Sequence, residues 1–266
     1  MEHLLNAFDG LPLDAITSAN FITLEQKRRA DCVSGSSIRR DLACLSVIFS
    51  CAEEWEWVKH NPVKPFLRGR AKKGLTEGEP RTRYLSPAEE SAILEYAPPK
   101  ARIAIIVAID TGLRKEEQFS LLWSDIDLAK RELRVRAEVA KSSKTRVVPL
   151  LERTHRLLTE MRQAPVSPFV FTTSEGKRYS TGSPTNYEAL QKACRRTKIT
   201  EHVEWHDLRR TCGCRLLQSH QLTMTEVSKW LGHSSVVVTE RHYAFISKEA
   251  LHDAVRRSEQ RARASG

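Results

Sequence analysis

The chain has 266 residues, with 43 Lys and Arg against 33 Asp and Glu, a formal net charge of +10 and 29% of residues charged. That length holds one large or two smaller domains with a substantial core, and the mixture of signs excludes a simple basic tail while favouring an anionic partner, most often nucleic acid. The six cysteines show no disulfide-framework spacing, the N-terminus lacks a leader pattern and no apolar run approaches about 18 residues, so a reduced, cytoplasmic protein is expected rather than a secreted or membrane-spanning one.

Residues 1–60 read as helical. In SSIRRDLACLSVIFSCAEEW the apolar positions Ile38, Leu42, Leu45, Phe49 and Ala52 recur at spacings of four and three, which is one helix face. Ser36 or Ser37 is the expected N-cap, with Arg39 and Arg40 near the helix start, and NPVKP at 61–65 interrupts the pattern. The stretch 59–83 carries Lys59, Lys64, Arg68, Arg70, Lys72, Lys73, Arg81 and Arg83 against Glu77 and Glu79, broken by Pro and Gly. It reads as an interdomain linker, either simply solvated or tracking a phosphate backbone.

A second domain opens at SPAEE, where Ser86 suits an N-cap, Pro87 the first helical position and Glu89 a capping box. ARIAIIVAIDTGLR predicts a buried helix ending at Thr111-Gly112. RELRVRAEVA and TRVVPL flank KSSK as a β-hairpin with a lysine-bearing turn, PFVFTT suggests a further short strand, and from about 184 the pattern is helical with a break near 233–239. The tail has Ala250, Leu251, Ala254 and Val255 at helical spacing, which fits a helix packed on its own domain, a helix docked on a neighbouring protomer, or a disordered end. The expected fold class is therefore mainly α with a small β-hairpin or sheet (α+β).

Four separated places share one chemical explanation: Arg114 after a Gly turn, Lys141 in the hairpin turn, His206 with Arg209, and LGHSSVVVTERHYAF with His233 and Tyr243. Each alone is ordinary: a helix-start arginine, a turn lysine, a cap residue, a half-buried tyrosine. Together they suit attack on a phosphodiester. Arginines clamp the non-bridging oxygens through planar hydrogen bonds, histidines hold or move a proton, a lysine protonates a leaving alkoxide, and a tyrosine hydroxyl is the nucleophile. Such a site needs neither metal nor other cofactor. HVEWH does not match the zinc-protease pattern, and the Cys212 and Cys214 pair reads as core.

At these residues the sequence resembles the tyrosine recombinase (phage integrase) family. The resemblance is carried by TGLRKEE at 111–117, AKSSKTRVVPL at 140–150, HDLRRT at 206–211, LGHSS at 231–235 and TERHYAF at 239–245, in the family's order. It implies a site-specific DNA recombinase that cuts and rejoins strands through a 3′-phosphotyrosyl bond. Arg114 is then the first catalytic arginine, Glu117 its orienting acid, and Lys141 (or Lys144) the general acid. His206 and Arg209 form the second histidine–arginine pair, His233 is the third-box histidine and Tyr243 the nucleophile. It also implies a two-domain clamp on double-stranded DNA: a helical core-binding domain over 1–65, shortened relative to the family, a basic linker over 66–83, and a catalytic domain over 84–266 with a C-terminal tail helix. Arg39, Arg40, Lys64, Arg68, Arg70, Lys72 and Lys73 are the candidate DNA-contacting residues. A homotetramer on two duplexes, with or without an accessory DNA-bending protein, is the expected active form. A type IB topoisomerase-like enzyme and a non-catalytic DNA-binding regulator are the alternatives. One departure stands out: His233 and Tyr243 are ten residues apart where the family usually has nine, with His242 adjoining the tyrosine. A one-residue insertion in the loop before Tyr243 is expected to absorb it.

Overall fold

The computed structural model describes residues 2–71, 74–75, 81–140, 143–163, 167–173, 175–179 and 185–246. The chain divides into two compact units, Met1–Pro80 and Arg81–Gly266.

The first unit contains helices α1 (Glu2–Phe8), α2 (Ser18–Ala30), α3 (Gly35–Glu54) and α4 (Val63–Ala71). The predicted stripe of α3, Ile38, Leu42, Leu45, Phe49 and Ala52, is its buried face, and all but Ala52 join a core with Leu4, Phe21, Leu24, Val63 and Leu75. Its cap is Ser34, not Ser36 or Ser37, because the Ser34 hydroxyl accepts from the Ser37 N–H at 3.3 Å. Ser36 and Ser37 lie inside the first turn, where they supply donors that need capping.

The expected linker begins too early. Residues 63–71 are helix, with Pro65 in the first turn, where its missing N–H costs nothing. Phe66 and Leu67 pack on the first core, and Leu75 is fully buried in it. Apolar side chains between the basic ones hold this stretch down, a feature that its charge obscured.

The second unit opens as predicted. α5 (Pro87–Tyr96) starts with a capping box in which Ser86 Oγ accepts from Glu89 N and Glu89 Oε2 accepts from Ser86 N at 2.9 Å. α6 (Pro99–Thr111) is buried from Ala104 to Thr111 because α8, α9 and α10 pack around it, and it ends at Gly112 in the left-handed conformation. α7 (Lys115–Phe119) follows directly.

Strands β1 (Ile126–Asp127), β2 (Glu132–Val135) and β3 (Arg146–Pro149) form an antiparallel sheet in that order, with Leu133 opposite Val148 and Val135 opposite Arg146. The β2–β3 pair is the predicted hairpin; β1 was not anticipated. PFVFTT forms no strand. It makes only the isolated bridges Leu122 to Phe169 and Thr172 to Arg178.

Helices α8 (Glu152–Arg162), α9 (Thr185–Arg196), α10 (Trp205–Gln218), α11 (Met224–Leu231) and α12 (residues 236–246) complete the described part. A charged network ties four of the helices together. Arg153 of α8 donates to Asp110 of α6 and to Glu90 of α5, Thr154 Oγ1 donates to Asp110 at 2.7 Å, and Arg215 of α10 pairs with Glu90.

Candidate active site

Two of the expected site residues, Arg114 and Glu117, sit just beyond the C-terminal end of α6. Gly112 turns the chain, so Arg114 becomes the N-cap residue of α7. Glu117 lies three residues on, and its carboxylate accepts from the Arg114 backbone N–H at 2.8 Å and from Arg114 Nη1 at 2.9 Å. The TGLRKEE spacing therefore closes one helical turn around an arginine–glutamate pair. Glu117 is also gripped by Arg146, whose Nη1 and Nη2 donate to its two oxygens at 3.0 and 2.6 Å. Burial opposes ionisation of this carboxyl, but Arg146 and then Arg114 outweigh it and hold its pKa down at about 2.

α10 supplies the second group. His206 and Arg209, three apart, share one side of its first turns. Asp207 does not face the cleft: it is fully buried, accepts the Glu204 N–H at 2.8 Å, receives Arg210 Nη1 at 2.5 Å and pairs with Arg81 at 3.1 Å. Arg210 also donates to the Arg83 carbonyl at 3.1 Å. The charges packed into HDLRR thus split into a structural pair, Asp207 with Arg210, and an outward-working pair, His206 with Arg209.

Arg209 is buried, and its Nη1 and Nη2 donate to the carbonyls of Gly112 at 2.6 Å and Leu231 at 2.7 Å. The C-terminal end of α11 is a common anchor. Arg146 Nε donates to Trp230 O at 3.1 Å, Arg209 to Leu231 O, and Arg114 Nη2 to Gly232 O at 3.3 Å. Three guanidinium groups from different elements therefore occupy successive carbonyls that the helix itself leaves unpaired, at its negative dipole end. Gly232 has φ +67°, and a Cβ there would lie 2.8 Å from Arg146 Cδ, so both conformation and space require glycine. Each of Arg114 and Arg209 keeps N–H donors beyond those used. Together with Leu113, Lys115, Tyr187, Glu204, Trp205 and His206 they line a cleft of about 390 Å³.

His206 and His233 are neutral at pH 7. Loss of water contact, then the charges of Arg209 and Arg210, push His206 down to about 4, although its ring keeps open surface. Burial and the charges of Arg209 and Arg114 push His233 down to about 3. His233 Nδ1 lies 2.8 Å from Thr239 Oγ1, which fixes the ring. The His242 ring centroid is 6.3 Å from that of His233.

Within the ten-residue interval to Tyr243, residues 233–235 are non-helical and residues 236–246 are helical, so Tyr243 itself is carried on a helix rather than on a loop. Thr239, Tyr243 and Ile246, at helical spacing, are the buried face of α12, so the tyrosine points inward while His242 is only half-buried. Tyr243 rests against α10 at Gly213, one turn beyond Arg209: a Cβ at 213 would lie 2.3 Å from both Cζ and Oη. Burial pushes the phenol pKa up, and the Arg209 charge opposes that rise.

Lys141, Lys72 and Lys73 lie outside the described residues, as does the expected tail helix. Lys144 is exposed just before β3. In the first unit, Arg39 Nη1 donates to Leu75 O at 3.3 Å, Lys64 pairs with Glu53 at 3.6 Å and Arg70 with Glu25 at 3.3 Å. Arg40 and Arg68 are exposed with no carboxylate partner among the described residues. Cys212 is core: its thiol donates to Asp110 O at 3.5 Å, and burial pushes its pKa up. Among the described residues no His, Cys, Asp and Glu side chains cluster as a metal site.

Sequence reasoning passed over Arg146, Gly213 and Thr239 as site residues. The signal for Arg146 was available: it alternates with Val148 and Leu150, both buried, so a charged group lies on an inward face of β3 and needs a partner.

Comparison with known proteins bears on the same residues. The model of the phage integrase family matches residues 83–250. A putative integrase/recombinase of Haemophilus influenzae is 24% identical over 225 residues, covering 81% of this chain and 68% of that protein. Tyrosine recombinase XerA of Pyrococcus furiosus is 28% identical over 183 residues, covering 65% and 61%. The chain thus spans about two thirds of these relatives' lengths. Among solved structures, the Tn1549 transposon integrase in complex with a circular intermediate DNA superposes with a TM-score of 0.75 over 95% of this chain and 91% of that one, at 18% identity, a likeness of fold.

Proposed function

The chain belongs to the phage integrase family, and from that premise we propose that it is a site-specific DNA recombinase that cleaves and rejoins strands through a 3′-phosphotyrosyl intermediate. The observation that carries the reading is the convergence of Arg114, Arg209 and His206 on one cleft, with His233 under the charge of both arginines and Tyr243 seated one helical turn from Arg209.

The chemistry follows from the charges. Around the α11 terminus three arginines face one glutamate, and Arg146 is neutralised by Glu117. The positive charge left on Arg114 and Arg209 suits a phosphodiester, whose non-bridging oxygens take the remaining guanidinium N–H donors. The phosphate becomes more negative as the fifth bond forms, so these donors act most strongly in the transition state.

A phenol is weakly nucleophilic at neutral pH. A neutral His206 or His233 can accept its proton. The Tyr243 Oη–phosphorus bond then forms while the bond from phosphorus to the 5′ oxygen breaks. That oxygen takes a proton from Lys141 or Lys144 and leaves as a 5′-hydroxyl. Attack by the 5′-hydroxyl of a second strand reverses the steps, so the phosphodiester energy is conserved without a nucleotide cofactor. We assign DNA phosphate contacts in the first unit to Arg40 and Arg68, and the active form to a homotetramer on two duplexes in the cytoplasm.

The test is a nicked DNA substrate carrying the recombination site, on which cleavage traps the covalent adduct. The wild-type chain should form it, and Tyr243→Phe should bind the DNA without forming it. An adduct with Tyr243→Phe, or none with the wild type, refutes the proposal. Relaxation of supercoiled DNA lacking the site would instead indicate a topoisomerase.

A further inference from the structure

We infer that Arg146 is a positioning residue of this site, a fork that sets Arg114 through Glu117 and holds the turn carrying His233. The inference rests on the recombinase reading above.

Four observations carry it. First, Arg146 stands on the buried side of β3 with Val148 and Leu150, and its side chain is only 9% exposed, so it is a poor direct contact for DNA. Second, it spends its donors on two targets at once: both Glu117 oxygens, at 3.0 and 2.6 Å, and Trp230 O at 3.1 Å. Third, those targets are the ones that place the reacting groups. Glu117 binds the Arg114 backbone and side chain, and Trp230 lies three residues before His233 in the turn whose carbonyls hold Arg209 and Arg114. Fourth, Gly232 leaves no room for a side chain beside the Arg146 guanidinium, which packs the fork directly against that turn.

A fully buried Glu117 with Arg114 as its sole partner would keep one donor on each oxygen, the Arg114 N–H and Nη1, but its whole negative charge would fall on Arg114, drawing that guanidinium toward the carboxylate instead of toward phosphate. Arg146 satisfies that carboxylate and frees Arg114 to share its charge. Its position also joins the hairpin to the arginine cluster, since β3 begins two residues after the exposed Lys144. One planar group thereby fixes the relative placement of three catalytic elements, which a lysine, with its single point charge, cannot do.

The test measures DNA binding and single-turnover adduct formation separately, at saturating nicked substrate. Arg146→Ala should lower the saturated rate by roughly 100-fold, the scale of an ångström-sized misplacement of reacting groups. Its DNA affinity should stay within about threefold, because the residue does not reach the DNA. Arg146→Lys should recover less than about a tenth of the wild-type rate, and it carries the test if the alanine variant fails to fold. In a Glu117→Gln background, Arg146→Ala should add less than about threefold, since both act on Arg114 by one route.

A wild-type saturated rate in Arg146→Ala, full recovery in Arg146→Lys, full additivity with Glu117→Gln, or a loss confined to binding would each overturn the inference. Those results leave the recombinase reading standing. Failure of the wild-type chain to form any adduct removes both.

Discussion

Gly213→Ala probes the seat of Tyr243 most directly. The added methyl would lie 2.3 Å from Tyr243 Cζ and Oη and 2.7 Å from Cε1. Carbon contacts settle near ~3.5 Å, so the ring must retreat by about 1 Å or leave. Alanine gains about 1 kcal/mol of helix propensity over glycine in α10, whereas overpacking a close-packed core costs about 1–3 kcal/mol. The net expectation is destabilisation of about 1 kcal/mol, which would lower the melting temperature by a few degrees. The effect on chemistry is larger: moving the phenolic oxygen by about 1 Å should slow adduct formation roughly 100-fold with DNA affinity unchanged. The assay pairs thermal unfolding with single-turnover cleavage of a nicked substrate. Gly69→Ala is the control: it is an exposed glycine of α4 with nothing near its Cβ position, so it should stabilise by about 0.5–1 kcal/mol and leave cleavage alone. Wild-type stability and cleavage in Gly213→Ala would show that the tyrosine neither depends on this seat nor reacts from it.

Three further outcomes follow from the charges. Its arginine partners hold the Glu117 carboxyl at about 2 in the folded chain against 4.5 for a free glutamate, so its contribution, on the order of 3 kcal/mol, is present above pH 4.5 and lost as pH falls toward 2. Thermal unfolding between pH 5 and 2 should show a steeper loss for the wild type than for Glu117→Gln, and equal slopes would contradict the pairing. Arg153→Met leaves the buried carboxylate of Asp110 with the Thr154 hydroxyl and that of Glu90 with Arg215, each short of one charged donor. It should cost about 2 kcal/mol in urea denaturation, less than a wholly buried pair because the Arg153 side chain is partly open to water. Finally, DNA phosphate favours the imidazolium forms of His206 and His233, whose pKa values are about 4 and 3 without it. Affinity at fixed salt should therefore rise as pH falls toward about 4, and His206→Gln with His233→Gln should flatten that dependence. A flat wild-type profile would mean that neither ring meets the phosphate.

What the sequence by itself determined is local. The α3 stripe, the capping box at Ser86 and the stop at Gly112 are each decided by spacing, a short side chain or a backbone angle within a few residues. The Arg114–Glu117 pairing is legible for the same reason, since three residues on a helix bring two side chains together. The family's boxes pointed to the remaining residues, but only as names along a line. What the tertiary structure decided is which charges are spent and which remain. Asp207 takes Arg210 and Arg81, and Glu117 takes Arg146, 29 residues away in the chain. The end of α11 takes three guanidinium groups whose sequence separations from it run to more than a hundred residues. No local pattern encodes these choices. Each depends on which donor a buried acceptor meets once the helices pack, and a buried carboxylate or carbonyl accepts whichever cation the fold delivers.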